Sequence, residues 1–431
     1  MSGPILLAAT TIAFRGATLI DGTGAPPVAN ALLVVSDGRV VSVGLATPAA
    51  IAALPPGTEV RNCEGKWIVP GLIDAHVHAE SDRDLQTMLD WGITTVRLME
   101  EDTAKAVDLS ARSATRRDIP HVFAAAPIFT TKGGWWDQGQ PADRNLNRFP
   151  ATPDEARAAV RKAKALGTRE IKVMLDDMAW CRAPKPPLPK VSRPVLEALL
   201  GEAQDLGLRA IVHAPNLEDA KAALAAGATS LAHGILDPLD DETLAFFRRK
   251  KVAYVPTMDI FEFLADPRRD LDRVLGPSGS EVERWLEPAT VRRLRSREYS
   301  DHYREGYPNL EYVERHLPAL RENVRKLKSV DALIGLGTDM WAYPGLAVSV
   351  EMDLYVRAGL TPIDALRAGT QGAAHSLGLL DRGTLEPDRR ADLLVLDADP
   401  LQDVRNVRRI AEMWKEGERV GPRSPSERRG P

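Results

Sequence analysis

Trp67-Ile68-Val69-Pro70-Gly71-Leu72-Ile73-Asp74-Ala75-His76-Val77-His78 is the stretch on which the fold turns. A strand with one wet face alternates apolar and polar residues, whereas a strand covered on both faces reads as a nearly unbroken apolar run. Ile68–His76 is of the second kind, so it is expected to lie in a parallel sheet packed between helices. The run ends on two histidines. Successive side chains of a strand point to opposite faces, so His76 and His78 point the same way and form a ready pair of imidazole ligands.

Seven further runs of this kind follow: Ile93–Met99, His121–Pro127, Glu170–Leu175, Arg209–Ala214, Thr229–Gly234, Val252–Thr257 and Leu333–Thr338. Helical stretches lie between most of them, including Thr152–Leu166, Val195–Leu206 and Leu217–Ala226, the last stopped by Gly227. Eight alternating units predict an α/β fold, a closed (β/α)8 TIM barrel rather than an open sheet. Upstream, 12–20 and 31–43 read as strands, the second broken by a Ser36-Asp37-Gly38 turn. Downstream, 361–378 reads as a helix with Pro362 in its first turn, and Arg390–Asp397 and Ala411–Lys415 return to strand character. The expected organisation is a small composite β-sandwich domain from residues 1–66 and 385–420, a barrel over 67–384, and a disordered Pro/Gly/Arg-rich tail over 421–431. The connections Phe129–Pro150 and Asp259–Val330 are too long for simple turns and are expected to be functional loops or lids at the barrel mouth.

Composition narrows the function. With 44% hydrophobic and 27% charged residues the chain can bury a large core, and a net charge of −4 gives no electrostatic reason to bind nucleic acid or an anionic membrane. No apolar stretch reaches the roughly 18–20 residues needed to span a bilayer. The N-terminal apolar run lacks a basic start and is read as structure rather than a signal peptide. Cys63 and Cys181 are too few for a disulfide framework or a cysteine metal site. A cytoplasmic protein acting on a small molecule is expected, with homo-oligomerisation left open.

The chemistry-bearing residues fall at strand ends. Lys172 sits inside the apolar run Glu170-Ile171-Lys172-Val173-Met174, where a lysine needs a reason to be buried. An ion pair with Asp176 or Asp177 is one such reason, and a functional role is the other. His213 ends the fifth run, His233 the sixth, and Asp339 follows the eighth in Gly335-Leu336-Gly337-Thr338-Asp339. Each alone is an ordinary core residue, but four of the eight histidines, a lysine and an aspartate at the C-terminal ends of strands fall where barrel active sites are built.

Together these stretches resemble the amidohydrolase superfamily, in particular the branch of imidazolonepropionase-like proteins and binuclear Xaa-Pro dipeptidases. The resemblance is carried by GLIDAHVH (71–78), GITTVRLME (92–100), EIKVML (170–175), VHAPNLEDAKAALAAGATSLAHG (212–234), VPTM (255–258), GTD (337–339) and residues 360–404. It implies that His76, His78 and Asp339 hold a more buried metal and that His213 and His233 hold a more exposed one. Lys172 would bridge both as a CO2-derived carbamate. It further implies two divalent ions, zinc or else manganese or cobalt. A metal-bridging hydroxide would attack the substrate, with Asp339 as general base and then acid. Imidazolonepropionases lack the bridging lysine, so Lys172 argues against that activity.

In one respect the chain departs from its relatives. Many carry a histidine after a Gly-Gly pair in the loop following the third strand, whereas Gly133-Gly134 is followed here by Trp135-Trp136. Trp135 and Trp136, with Tyr254 and Trp341, are candidate substrate-binding residues. His121, His302, His316 and His375 are assigned no metal. The expected function is a metal-dependent hydrolase of amide-type C–N bonds, in a dipeptide, N-acyl amino acid or aryl amide. A lactone, carbamate or phosphotriester hydrolase on the same binuclear site is the alternative, and a catalytically silent barrel acting as a binding protein is the alternative of another class.

Overall fold

Two sheets share the chain in the computed structural model, which describes residues 11–100, 102–137, 146–183, 185–306 and 309–421. Both expected terminal features, the apolar start over 1–10 and the tail beyond Gly421, lie outside the described residues, as does 138–145 of the first long connection.

The first sheet comes from both ends of the chain: β1 (Thr11–Leu19), β2 (Val28–Ser36), β3 (Arg39–Leu45), β4 (Glu59–Asn62), β5 (Trp67–Pro70) and, much later, β14 (Leu393–Leu396), β15 (Ile410–Lys415) and β16 (Glu418–Gly421). Its order is β16-β15-β14-β5-β1-β2-β3, with β4 also on β1. β1 divides its partners, pairing with β4 through Ile12–Arg15 and with β5 through Thr18 and Leu19. That branching folds the sheet over. Phe14 on β1 meets Trp414 on β15 edge-on at 5.1 Å, and both belong to one enclosed apolar core with Leu33, Val35, Leu393 and Val395.

The second sheet is the barrel: β6 (Leu72–Val77), β7 (Ile93–Met99), β8 (His121–Phe129), β9 (Glu170–Met174), β10 (Arg209–His213), β11 (Ser230–Ala232), β12 (Ala253–Val255) and β13 (Leu333–Ile334), paired in that order. Every neighbouring pair is parallel. Every residue of β6, β7 and β9 is buried, as expected for strands flanked by core on one side and helices on the other. Closure is made by Ala75 N–H donating to Leu336 O (2.9 Å) and Asp339 N–H donating to His76 O (2.8 Å), which join the first and last strands.

Two departures from the sequence expectation have physical causes. Ile68–His76 is not one strand but two. Pro70 has no N–H, and Gly71 N–H turns to Asp392 O (2.8 Å), so β5 ends in the first sheet and β6 begins in the barrel. The eighth strand is only two residues long because Leu336 N–H is taken by Ala368 O in the last helix (2.9 Å). That helix, Pro362–Ser376, widens to a π-turn at Ala368–Gly372 and presses on the strand. A Cβ on Gly372 would stand 2.2 Å from Ile334 O, which explains glycine there.

Candidate metal centre

The barrel strands deliver His76, Lys172 and His213 from β6, β9 and β10, while His78, His233 and Asp339 sit just beyond β6, β11 and β13. All six line one cavity of about 400 Å³ at the C-terminal mouth. The four imidazoles stand in a row, with ring centroids 4.3 Å apart for His213–His233, 4.6 Å for His233–His76 and 5.7 Å for His76–His78. Asp339 faces three of them: Oδ1 lies 3.2 Å from His78 Nε2 and 3.6 Å from His76 Nε2, and Oδ2 lies 3.6 Å from His233 Nδ1. His76, His78 and Asp339 present ligand atoms all within 4.8 Å of one another, a group able to hold a metal ion.

The backbone is bent to make this cluster. His233 (φ 72°), Thr257 (φ 45°) and Asp339 (φ 54°) occupy the left-handed region, which is costly for non-glycine residues and most of all for a β-branched threonine. His233 directly follows β11, Thr257 lies two residues past β12 and Asp339 five past β13, so the strain is placed where the chain leaves the barrel wall. Gly337 lets the last strand come close, since a Cβ there would be 2.8 Å from His76 Cβ and 2.9 Å from His76 N.

Burial sets the charge state. His76 and His233 are held well below the usual histidine range, first by burial and then by neighbouring Lys172 and histidines. Lys172 is 2% exposed, and burial pushes it down to about 7 against the opposing pull of Asp339. Its Nζ has no hydrogen-bond partner among the described residues, and neither do His76 Nδ1 and His213 Nδ1. Buried nitrogen ligands whose charged forms burial disfavours at His76, His233 and Lys172, set beside a carboxylate, fit divalent cations, because metal ligands must be deprotonated. The ion pair with Asp176 or Asp177 that would have explained Lys172 structurally is not formed.

Supporting residues were harder to foresee. Asp74 accepts from Thr338 Oγ1 (2.7 Å), Thr338 N–H (3.0 Å) and His76 N–H (3.1 Å), stapling the first and last strands beneath the cluster; burial raises it to about 7. Thr257 Oγ1 meets His233 Nδ1 at 3.0 Å, and Asp176 Oδ2 meets His213 Nε2 at 2.9 Å. Trp135, Trp136 and Trp341 line the cavity as expected, joined by Trp180 and, from the second long connection, Ile260, Phe261 and Leu264. Trp136 lies 5.3 Å from the His78 ring.

Tyr254 is a correction. It is fully buried and off the cavity wall: its ring packs on Phe247 (6.0 Å) and its hydroxyl accepts from Ile235 N–H (2.9 Å). Strand alternation turns it outward to the helical layer, while its neighbour Val255 packs inward against Ile73 and Ala75. The other histidines stand apart from the centre. His121, at the opposite end of β8, faces Glu416 at 3.5 Å, His316 Nδ1 donates to Tyr312 O (2.7 Å), His302 packs edge-on against Tyr303, and His375 lies in the last helix.

The Amidohydrolase family model matches residues 67–420, which includes the whole barrel and all six cavity residues. The chain belongs to the amidohydrolase family. It is therefore a hydrolytic enzyme. Among curated relatives, the imidazolonepropionase of Deinococcus radiodurans is 24% identical over 404 residues, covering 88% of each chain. That of Deinococcus deserti is 38% identical over 102 residues, 22% of this chain, and the match spans only 26% of that protein. The solved structure of a Bifidobacterium longum protein proposed to be a prolidase is similar over 97% of both chains, with a TM-score of 0.73 and 26% identity. No helix among the described residues is long and apolar enough to cross a membrane.

Proposed function

We propose that this family member hydrolyses amide-type C–N bonds in small molecules bearing a bulky apolar or aromatic group. His76, His78, Lys172, His213, His233 and Asp339 would hold two divalent ions, most simply zinc, with Lys172 as a carbamate. The observation that carries the reading is one cavity lined by four imidazoles, a carboxylate and a lysine without a hydrogen-bond partner among the described residues, and whose walls include Trp135, Trp136, Trp180, Phe261 and Trp341. When bound, the ions supply Lewis-acid polarisation of the carbonyl and a lowered pKa for the attacking water.

The remaining steps belong to the chain. Asp339 stands among the imidazoles at 3.2–3.6 Å, placed to take a proton from the attacking water and return it to the leaving nitrogen. The indoles and Phe261 remove water around the substrate's apolar portion and hold the scissile bond over the cluster. The prolidase activity proposed for the Bifidobacterium longum protein favours an amide rather than an ester bond.

The test is a substrate panel on metal-loaded enzyme, comparing aryl amides, N-acyl amino acids, dipeptides, lactones and phosphotriesters. Aromatic amides and N-aroyl amino acids are expected to give the highest kcat/KM, by about tenfold or more, since each well-filled apolar subsite is worth roughly 1–3 kcal/mol. Faster turnover of lactones or phosphotriesters would move the activity to the other bond class.

A further inference from the structure

Just past β9 the chain makes a short, strained clamp. Asp176 is 1% exposed, and its two oxygens have three partners among the described residues. Met178 N–H donates to Oδ1 (2.8 Å), while Trp180 Nε1–H (2.9 Å) and His213 Nε2 (2.9 Å) share Oδ2. Met178 adopts φ 56°, the left-handed turn that brings Trp180 back over the carboxylate. Trp180 also forms part of the cavity wall, its ring 6.0 Å from Phe261. At the other side of the His213 ring, Nδ1 is buried and has no hydrogen-bond partner among the described residues.

A carboxylate accepts and does not donate, so the proton on the His213 ring belongs on Nε2. Nδ1 then keeps its lone pair. We propose that Asp176 is a positioning residue that fixes His213 as its Nε2–H tautomer, aims Nδ1 at the metal cluster, and is itself held in place by Trp180 from the substrate side. Carboxylate partners of this kind orient histidine ligands and raise their basicity. The link to Trp180 ties the cavity wall to the orientation of one ligand. The proposal rests on His213 serving as a ligand, but the tautomer itself is a property of the metal-free chain and is measurable without that reading.

Two measurements test it. In metal-free protein carrying 15N-histidine, with the His213 signals assigned by their loss in His213→Gln, Nε2 is expected to be protonated and Nδ1 bare. Asp176→Leu keeps the bulk but removes the acceptor, so nothing holds the proton on Nε2 and Nδ1 becomes protonated in a fraction of the molecules. Zinc affinity, read by chelator competition on apoprotein with an unchanged circular dichroism spectrum, should then fall about 10- to 100-fold. Trp180→Phe keeps the ring but not the N–H, and should lower zinc affinity by a smaller factor while leaving the tautomer intact. A parent protein with Nδ1 protonated would overturn the proposal, whether or not Asp176→Leu folds, as would a folded Asp176→Leu protein that keeps parental zinc affinity. Normal tautomer and zinc response with no amide turnover would instead sink the substrate reading and leave this one standing.

Discussion

Replacing Lys172 by alanine is expected to remove bound metal and catalytic activity together. The lysine is buried on β9 among apolar neighbours, its Nζ has no hydrogen-bond partner among the described residues, and burial pushes it down to about 7. A group so placed has a substantial neutral fraction near physiological pH. The neutral amine can add to CO2, forming an N–C bond and releasing a proton, and the product is an anion with two oxygens. That anion would offset positive charge in a site already crowded with imidazoles, whereas an ammonium would add to it. Alanine supplies no oxygen donor and leaves space beside His76 and His233. Losing metal-assisted stabilisation worth several kcal/mol corresponds to at least on the order of 10³-fold in kcat/KM. Metal content and activity of the variant, with and without added bicarbonate or short carboxylates, are the measurements. Partial restoration of both by the small anions is expected, because they can occupy the vacated space. Metal-free parent protein should also regain activity faster when zinc is added with bicarbonate than in CO2-depleted buffer. A Lys172→Ala protein that binds two metals and turns over normally would remove the lysine from the centre.

Asp339→Asn should give the second largest loss, and of a different kind. The amide matches the carboxylate in shape, so the hydrogen bond from its own N–H to His76 O and the closure of the barrel are kept. What disappears is the group able to take a proton between His76, His78 and His233. General acid–base catalysis contributes about 10²–10⁴-fold, so kcat should fall within that range or beyond it, because one metal ligand is also weakened. KM should change far less, since the apolar walls around Trp136 and Phe261 are untouched. Steady-state kinetics against the best amide substrate decides the matter. Near-parental kcat would assign the proton transfer to another residue.

What the sequence made legible was whatever is written locally. Strands buried on both faces leave unbroken apolar runs, so the barrel, the mid-strand place of Lys172 and the positions of His76, His213, His233 and Asp339 at or beyond strand ends could be read directly. Parity on a very short strand could not. β12 is three residues long, and nothing in Ala253-Tyr254-Val255 says which residue faces inward; its register against β11 decides that, and it places Tyr254 outside. Partnerships across the fold were likewise hidden. Asp176 lies four residues after Lys172 and was a natural ion-pair candidate, yet the turn at Met178 hands its carboxylate to His213 on the adjacent strand. Asp74, inside the most informative stretch of all, gave no sign of its role because its partner Thr338 is 264 residues away. Nor did Ile260 and Phe261 show that they line the cavity, since the long connection that carries them is placed by tertiary packing.

Elemental analysis coupled to activity tests whether these six residues build a two-metal hydrolytic centre. Apoprotein would be titrated with zinc in the presence of bicarbonate, and bound metal per chain and amide hydrolysis measured on the same samples. Activity is expected to rise with loading and to reach its maximum at about two ions per chain. Full activity with one ion or none would rule out a two-metal centre.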